Sequence, residues 1–239
     1  MATQTFLEAR IIRESIPADA YKACAGTAKQ CYSPVDVQTI IELLNQQDIE
    51  RVIAHCAKSG HLAVFNVVSV AVAVNVTREC LTQLNTHAFV KTVTQSQQYV
   101  DHRDFRYHVP QIMTDDDYAM ERFRWLMEAL QTEYDFHKKR LIERGFTPEE
   151  ARMNARAVLP NSAEANTVLA GNLWAWFNWI QKRICKRNTP VTLDLAQQIL
   201  KLFQQEWPLI FNHCGAPCQT RKCTEGKSCG KPYPRLGVN

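Results

Sequence analysis

One stretch limits the fold of this chain more than any other: Leu62–Val74, LAVFNVVSVAVAV. It begins just after the breaker Gly60 and is rich in β-branched residues, so it reads as a central strand, and a central strand needs neighbours. Phe6–Glu14 alternates well enough for a first strand, and Thr167–Gly171 reads as a short one. The full apolar run, Ala63–Val76, is broken by Asn66, Ser69 and Asn75 and is too short and too polar to span a bilayer.

Between these strands the pattern is helical. Ala18–Cys31, Val35–Gln46 and Asp48–Ser59 read as helices stopped by Gly, Ser or Pro, and Thr77–His87 has a stripe through Cys80, Leu81 and Leu84. Thr114 and the three aspartates after it mark a helix start, because the hydroxyl caps and the acids favour the positive end of the dipole. That helix is expected to run to about Arg144. Thr147-Pro148-Glu149-Glu150 is a second start, with Thr as N-cap, Pro in the first turn and a glutamate completing a capping box. Asn172–Arg183, with Trp174, Trp176 and Trp179, and Leu193–Phe211 complete the helices. Strands and helices without regular βαβ alternation predict an α+β (irregular α/β) domain over residues 1–212, followed by a Cys-rich tail at 213–239.

With 46% hydrophobic and 22% charged residues, the chain falls in the soluble globular range. The N-terminal MATQTFLEARIIRES lacks the basic flank, apolar core and cleavage site of a signal peptide, so a cytoplasmic protein is expected. A net charge of +4, spread along the chain apart from Lys182–Arg187 (KRICKR) and the tail, is no nucleic-acid signature. GxGxxG, P-loop and nucleophile-elbow motifs are absent, which removes the common dinucleotide, NTPase and hydrolase readings.

Five blocks carry a more specific signal: AKQCYS (Ala28–Ser33), GHLAVFNVVSVAVAV from Gly60, Thr86-His87-Ala88 with seven residues to Ser96-Gln97-Gln98-Tyr99, FTPEEARMNARAVLP (Phe146–Pro160) and GNLWAWFNWIQKR (Gly171–Arg183). In this order and spacing they resemble the flavin-dependent thymidylate synthases, whose signature is R-H-R, seven residues, then Ser and a nearby Tyr. The resemblance covers about residues 6–212. It implies a central, mainly antiparallel sheet flanked by helices, like that of the thymidylate-synthase-complementing proteins, in a homotetramer with sites shared between subunits. It also implies transfer of a one-carbon unit from methylenetetrahydrofolate to carbon 5 of dUMP, with FAD reduced by NADPH.

By this resemblance Gln83, Gln95, Ser96, Gln98, Arg156 and Arg183 hold the deoxypyrimidine monophosphate, and His87, Asn172, Asn178 and Arg187 face the flavin. The residue chemistry agrees: a phosphate takes a guanidinium fork with amide and hydroxyl donors, and Arg183 ends an aromatic helix from which it could aim donors at a pyrimidine. Helix capping for Asn172 and a surface position for Asn178 are the alternatives. The chemistry is expected of Arg183 and Ser96, and a flavin-free route needs another nucleophile, Lys91 or a cysteine.

The chain also departs from the signature. Thr86, Ala88 and Gln98 stand where the family has arginine, Lys91 where it has serine, Trp174 for a flavin-side arginine, Arg187 for a histidine, and Asn66-Val67 for a Glu-His pair. By the resemblance most of these positions face the flavin or folate, and each lost charge-assisted contact costs about 1.5–3 kcal/mol. Conversion of dUMP to dTMP remains the leading expectation. The alternatives are a dUMP or dCMP hydroxymethylase with reduced or no flavin dependence, and a non-catalytic nucleotide-binding paralogue.

Four of the nine cysteines, Cys214, Cys218, Cys223 and Cys229, crowd the tail. In a reducing compartment they are a candidate zinc or iron–sulfur set, against the alternative of a flexible tail with free thiols. Cys24, Cys31, Cys56, Cys80 and Cys185 read as core or half-buried.

Overall fold

The computed structural model describes residues 1–223 and 225–236, so Thr224 and positions 237–239 of the expected tail lie outside the described residues. The elements in chain order are β1 (Thr3–Gln4), β2 (Glu8–Ile11), α1 (Ala20–Gln30), α2 (Val37–Leu43), α3 (Gln46–Ser59), β3 (Ser69–Thr77), α4 (Arg78–Leu84), β4 (Lys91–Thr94) and β5 (Arg106–Tyr107). They continue as α5 (Asp117–Glu143), α6 (Pro148–Ala155), β6 (Glu164–Asn172), α7 (Leu173–Arg183), α8 (Pro190–Glu206), α9 (Pro208–Phe211) and α10 (Pro217–Thr220). Four strands form a sheet in the order β2-β3-β6-β4, and β1 pairs in parallel with β5. Among the described residues no helix is long and apolar enough to cross a membrane.

The larger sheet is antiparallel, as expected. Leu173 N donates to Val68 O at 2.9 Å and Arg78 N to Ala163 O at 3.1 Å, so β6 retreats as β3 advances. Along β3, Val70, Val72, Val74 and Val76 are buried and alternate with partly exposed Ala71, Ala73 and Asn75.

Four expectations need correction. Leu62–Val67 is 3-10 helical, not strand, with Phe65 fully buried and the Asn66 side chain donating to Ala63 O at 2.9 Å. Packing of one phenylalanine overrides the β-branched composition there. The α5 cap is Asp116, which accepts from Ala119 N at 2.9 Å, while the Thr114 hydroxyl donates to Gln111 O. The last helix is broken at Trp207, because Pro208 has no N–H to continue α8. The strand expected at Thr167–Gly171 is longer, Glu164–Asn172.

The chain divides into two compact units. The first comprises Met1–Glu8, Val74–Thr86 and Thr92–Val168; the second comprises Ala9–Ala73, His87–Lys91 and Leu169–Asn239. In the first, Phe105, Tyr107, Met127 and Ala163 form a core. Beside it the buried Glu164 carboxylate accepts from Thr5 (2.7 Å), Asn75 (3.0 Å) and His108 (3.1 Å) and pairs with Arg106. In the second, α7 turns Trp176 onto Phe203 and Phe177 onto Phe211, Trp179 meets Trp176, and Phe203 meets Trp207 and Phe211. The Trp176 indole N–H donates to Val70 O at 3.1 Å, fixing α7 on β3.

Candidate functional site

In the first unit the site begins where β3 ends. The Thr77 hydroxyl caps α4 by accepting from Cys80 N at 3.1 Å, and Arg78 opens the helix. Arg78 Nη2 donates to the Gln95 carbonyl oxygen at 3.2 Å. Its Nε is buried with no hydrogen-bond partner among the described residues. Burial, and after it the positive charge of Arg156, holds the Arg78 guanidinium below its ordinary pKa. His102 is also buried, its Nε2 without a partner among the described residues, and burial and then the Arg78 charge lower its pKa. Basic groups so placed favour an anion among them. Sequence reasoning missed Arg78; its only signal was an arginine set between the most apolar strand and a helix.

The polar run after β4 is a compact turn. Gln98 N donates to Ser96 Oγ and Val100 N to Ser96 O, each at 3.1 Å. Arg152 Nε, on α6, donates to Gln98 O at 3.1 Å, and the Gln98 amide reaches Glu149 at 3.4 Å. The Thr147–Glu150 capping box is present as expected and fixes the start of α6. Gln95, Ser96 and Gln98 are half-buried, Gln83 is half-buried on α4, and Arg156 is exposed where α6 ends.

In the second unit His87 is buried, and its Nδ1 accepts from the Phe89 and Val90 amides at 3.4 Å each. Burial first, then the charges of Lys182 and Arg183, push its pKa down to about 4, so the ring is neutral with its proton on Nε2. Phe89 is 57% exposed and meets Trp174 edge to face, ring centroids 4.8 Å apart. Gly171 allows that approach, since a Cβ there would lie 3.2 Å from Phe89 O. The Asn172 side chain caps α7 by accepting from Ala175 N at 2.8 Å, and Asn178 donates to Trp174 O at 2.8 Å. Lys91 is exposed at the start of β4, and Arg183 is half-buried at the end of α7.

Past that end lies a cleft of about 490 Å³. Its walls include Asn178, Lys182, Arg183 and Arg187 and, from the tail, Arg221 and Glu225. Arg187 is tied to the tail through Glu225 at 2.9 Å and Lys227 O at 2.8 Å.

Cys214 is buried, its thiol 3.6 Å from Phe177 O, and burial raises its pKa well above the usual thiol value. Cys218, Cys223 and Cys229 instead line a cavity of about 30 Å³ with Cys185. Among the described residues no three His, Cys, Asp or Glu side chains are grouped to hold a metal ion.

Residues 11–209 match the family described as thymidylate synthase complementing protein. A flavin-dependent thymidylate synthase of Clostridium tetani is 30% identical over 220 residues, covering 88% of each chain. Another, from Nitratidesulfovibrio vulgaris, is 32% identical over 215 residues, covering 86% of this chain and 87% of the relative. Among solved structures, a UMP/dUMP methylase PolB from Streptomyces cacaoi bound with 5-Br dUMP has a similar fold, with a TM-score of 0.72 at 15% identity over 89% of this chain and 96% of that one.

Proposed function

The chain belongs to the thymidylate synthase complementing protein family, and from that premise we propose that it transfers a one-carbon unit from methylenetetrahydrofolate to carbon 5 of dUMP, forming dTMP. The observation that carries this is the extent of the family match, residues 11–209, which takes in every expected nucleotide and flavin residue. In the first unit, Arg78 and Arg156 supply guanidinium forks for a phosphate, and the Ser96 turn adds hydroxyl and amide donors beside Gln83, Gln95 and Gln98. Arg183, in the second unit, carries the kind of N–H donors that pyrimidine carbonyl oxygens accept. His87, kept neutral, offers an Nε2–H donor that does not repel its cationic neighbours.

The second unit's side chains fit a flavin in kind. The exposed Phe89, set against the half-buried Trp174, offers an aromatic face, and the cationic cleft beyond α7 suits a diphosphate. The Asn172 and Asn178 amides, by contrast, bond within their own helix. When bound, reduced FAD would supply the two electrons that take a methylene carbon to a methyl group. NADPH as the reductant and a homotetramer belong to the same proposal, the assembly being checked by light scattering.

Trp174, Thr86 and Ala88 in place of arginines favour a second reading. Addition of water to the transferred methylene gives a hydroxymethyl group with no net reduction, so a site with weakened flavin contacts could make 5-hydroxymethyl-dUMP or 5-hydroxymethyl-dCMP, with Lys91 as nucleophile. Incubation of the purified protein with methylenetetrahydrofolate and dUMP or dCMP, with and without FAD and NADPH, separates the two. Mass spectrometry showing dTMP only when FAD and NADPH are both present supports methylation. A hydroxymethyl product without them establishes the second reading, and no product in any mixture refutes both.

A further inference from the structure

The cleft beyond α7 is built partly from residues outside the family match, which ends at residue 209. One wall is the last turn of α7 and the segment after it, with Lys182, Arg183 and Arg187; the other is the tail, with Pro217, Arg221 and Glu225. We propose that this cleft binds the diphosphate of a dinucleotide ligand and that Arg221, from the tail, is one of its anchoring cations.

The chemistry of the walls selects the ligand. Four cations stand against one carboxylate, Glu225, which is already paired with Arg187 at 2.9 Å. Lys182 and Arg221 make no ion pair among the described residues. The remaining lining has no large apolar side chain; Gln181 adds an amide, whereas the amide N–H groups of Asn178 and Asn188 are engaged with helix carbonyl oxygens, so the cations make the site. Such walls suit an oxyanion and would leave a ring poorly packed.

The end of α7 opposes an anion, because the C-terminus of a helix carries about half a negative charge. That partial charge is outweighed by full cations on the same turn. The Asn188 side chain also covers two carbonyl oxygens there, donating to Lys182 O at 2.9 Å and Cys185 O at 3.1 Å.

Helical spacing supplies the place for the ring. Trp174, Asn178 and Lys182 are four residues apart and share one face of α7, so Trp174 lies about 12 Å along the helix from Lys182. A dinucleotide with its diphosphate in the cleft would bring a flat ring along this face toward Phe89 and Trp174. The same cations offset, by a different route, the arginines missing at positions 86, 88 and 174.

This rests on the flavin part of the proposed function, so the test separates the two. Binding of inorganic pyrophosphate, FAD, riboflavin and dUMP would be measured by calorimetry on the full chain and on Arg221→Ala, Arg221→Lys and Lys222→Ala. Expected is an approximately tenfold loss of pyrophosphate and FAD affinity in Arg221→Ala, partial retention in Arg221→Lys, and wild-type binding in Lys222→Ala. Riboflavin and dUMP affinities should not change. Equal pyrophosphate affinity in wild type and Arg221→Ala, or a loss confined to dUMP, overturns the inference. Wild-type protein that binds neither FAD nor dUMP defeats the proposed function instead, while pyrophosphate binding that depends on Arg221 would still support the cleft.

Discussion

The ring of Phe89 meets the indole of Trp174 edge to face, 4.8 Å between centroids and 69° between planes, with Phe89 57% exposed. An aromatic ring left open to solvent offers little to the core and much to a flat ligand, and Phe89 is such a ring, resting on a half-buried Trp174. Phe89→Ala should therefore cost only about 1 kcal/mol of stability, the worth of one such pair. Flavin affinity should fall about tenfold, a loss of 1.4 kcal/mol. Denaturant unfolding and flavin fluorescence titration check the two halves; unchanged flavin affinity would remove Phe89 from the site.

Arg78 should behave as a nucleotide ligand, although no spacing pointed to it. Its buried Nε and its proximity to the Arg156 charge leave it under-satisfied until an anion arrives. A charge-assisted bond is worth about 1.5–3 kcal/mol, so Arg78→Gln should weaken dUMP binding by roughly 10- to 100-fold, with Arg78→Lys intermediate. Calorimetry showing wild-type affinity in Arg78→Gln would mean that the guanidinium serves only to hold the Gln95 loop.

What the sequence disclosed and what it withheld have separate physical causes. The α6 capping box and the Asn172 start of α7 are local, since each cap is one side chain meeting an amide three residues on, and both were legible. The break at Pro208 was equally local and could have been read from the missing N–H. The helical start of Leu62–Val67 was not legible, because burial of Phe65 decides it against composition. At the candidate site, motif spacing located the Ser96 turn, but its clamp by Arg152 joins distant segments that no short motif encodes. The cleft was hidden for the same reason: Arg221 and Asn178 lie far apart in the chain and line one space.

The cysteines should divide sharply by accessibility. Burial pushes the Cys24 thiol up to about 12, and it also raises Cys214. Both therefore lack exposure and thiolate character, whereas Cys31, Cys223 and Cys229 are exposed. With a disulfide reagent at pH 8, mass mapping should find Cys31, Cys223 and Cys229 modified quickly and Cys24 and Cys214 only on unfolding. Cys214→Ser should lower stability by about 1–3 kcal/mol, since it puts a more strongly solvated hydroxyl in an apolar pocket. Rapid labelling of Cys214 in the folded protein would contradict its place beneath Phe177.

The pH dependence of stability should carry a signature of His87. Its folded pKa, about 4, lies below the ordinary 6.5, so the unfolded chain takes up a proton first as pH falls. Well above pH 6.5 both states hold a neutral ring and nothing is lost. Between 6.5 and 4 the unfolded state is progressively favoured, and linkage gives a loss of roughly 2 kcal/mol by pH 5. Glu164 also contributes to acid sensitivity: burial raises its pKa, but hydrogen bonds from His108 and Thr5 and the Arg106 charge outweigh burial and hold it low. The informative quantity is therefore the difference between wild type and His87→Gln, which lacks the titrating ring but retains a side-chain carbonyl acceptor. Urea unfolding at pH 7.5 and pH 5 should show the wild-type advantage shrinking by about 2 kcal/mol as the imidazole's proton competition sets in. A difference that stays constant across this range would mean that His87 gains its proton as easily in the folded chain as in the unfolded one, and that neither burial nor the charges of Lys182 and Arg183 act on it.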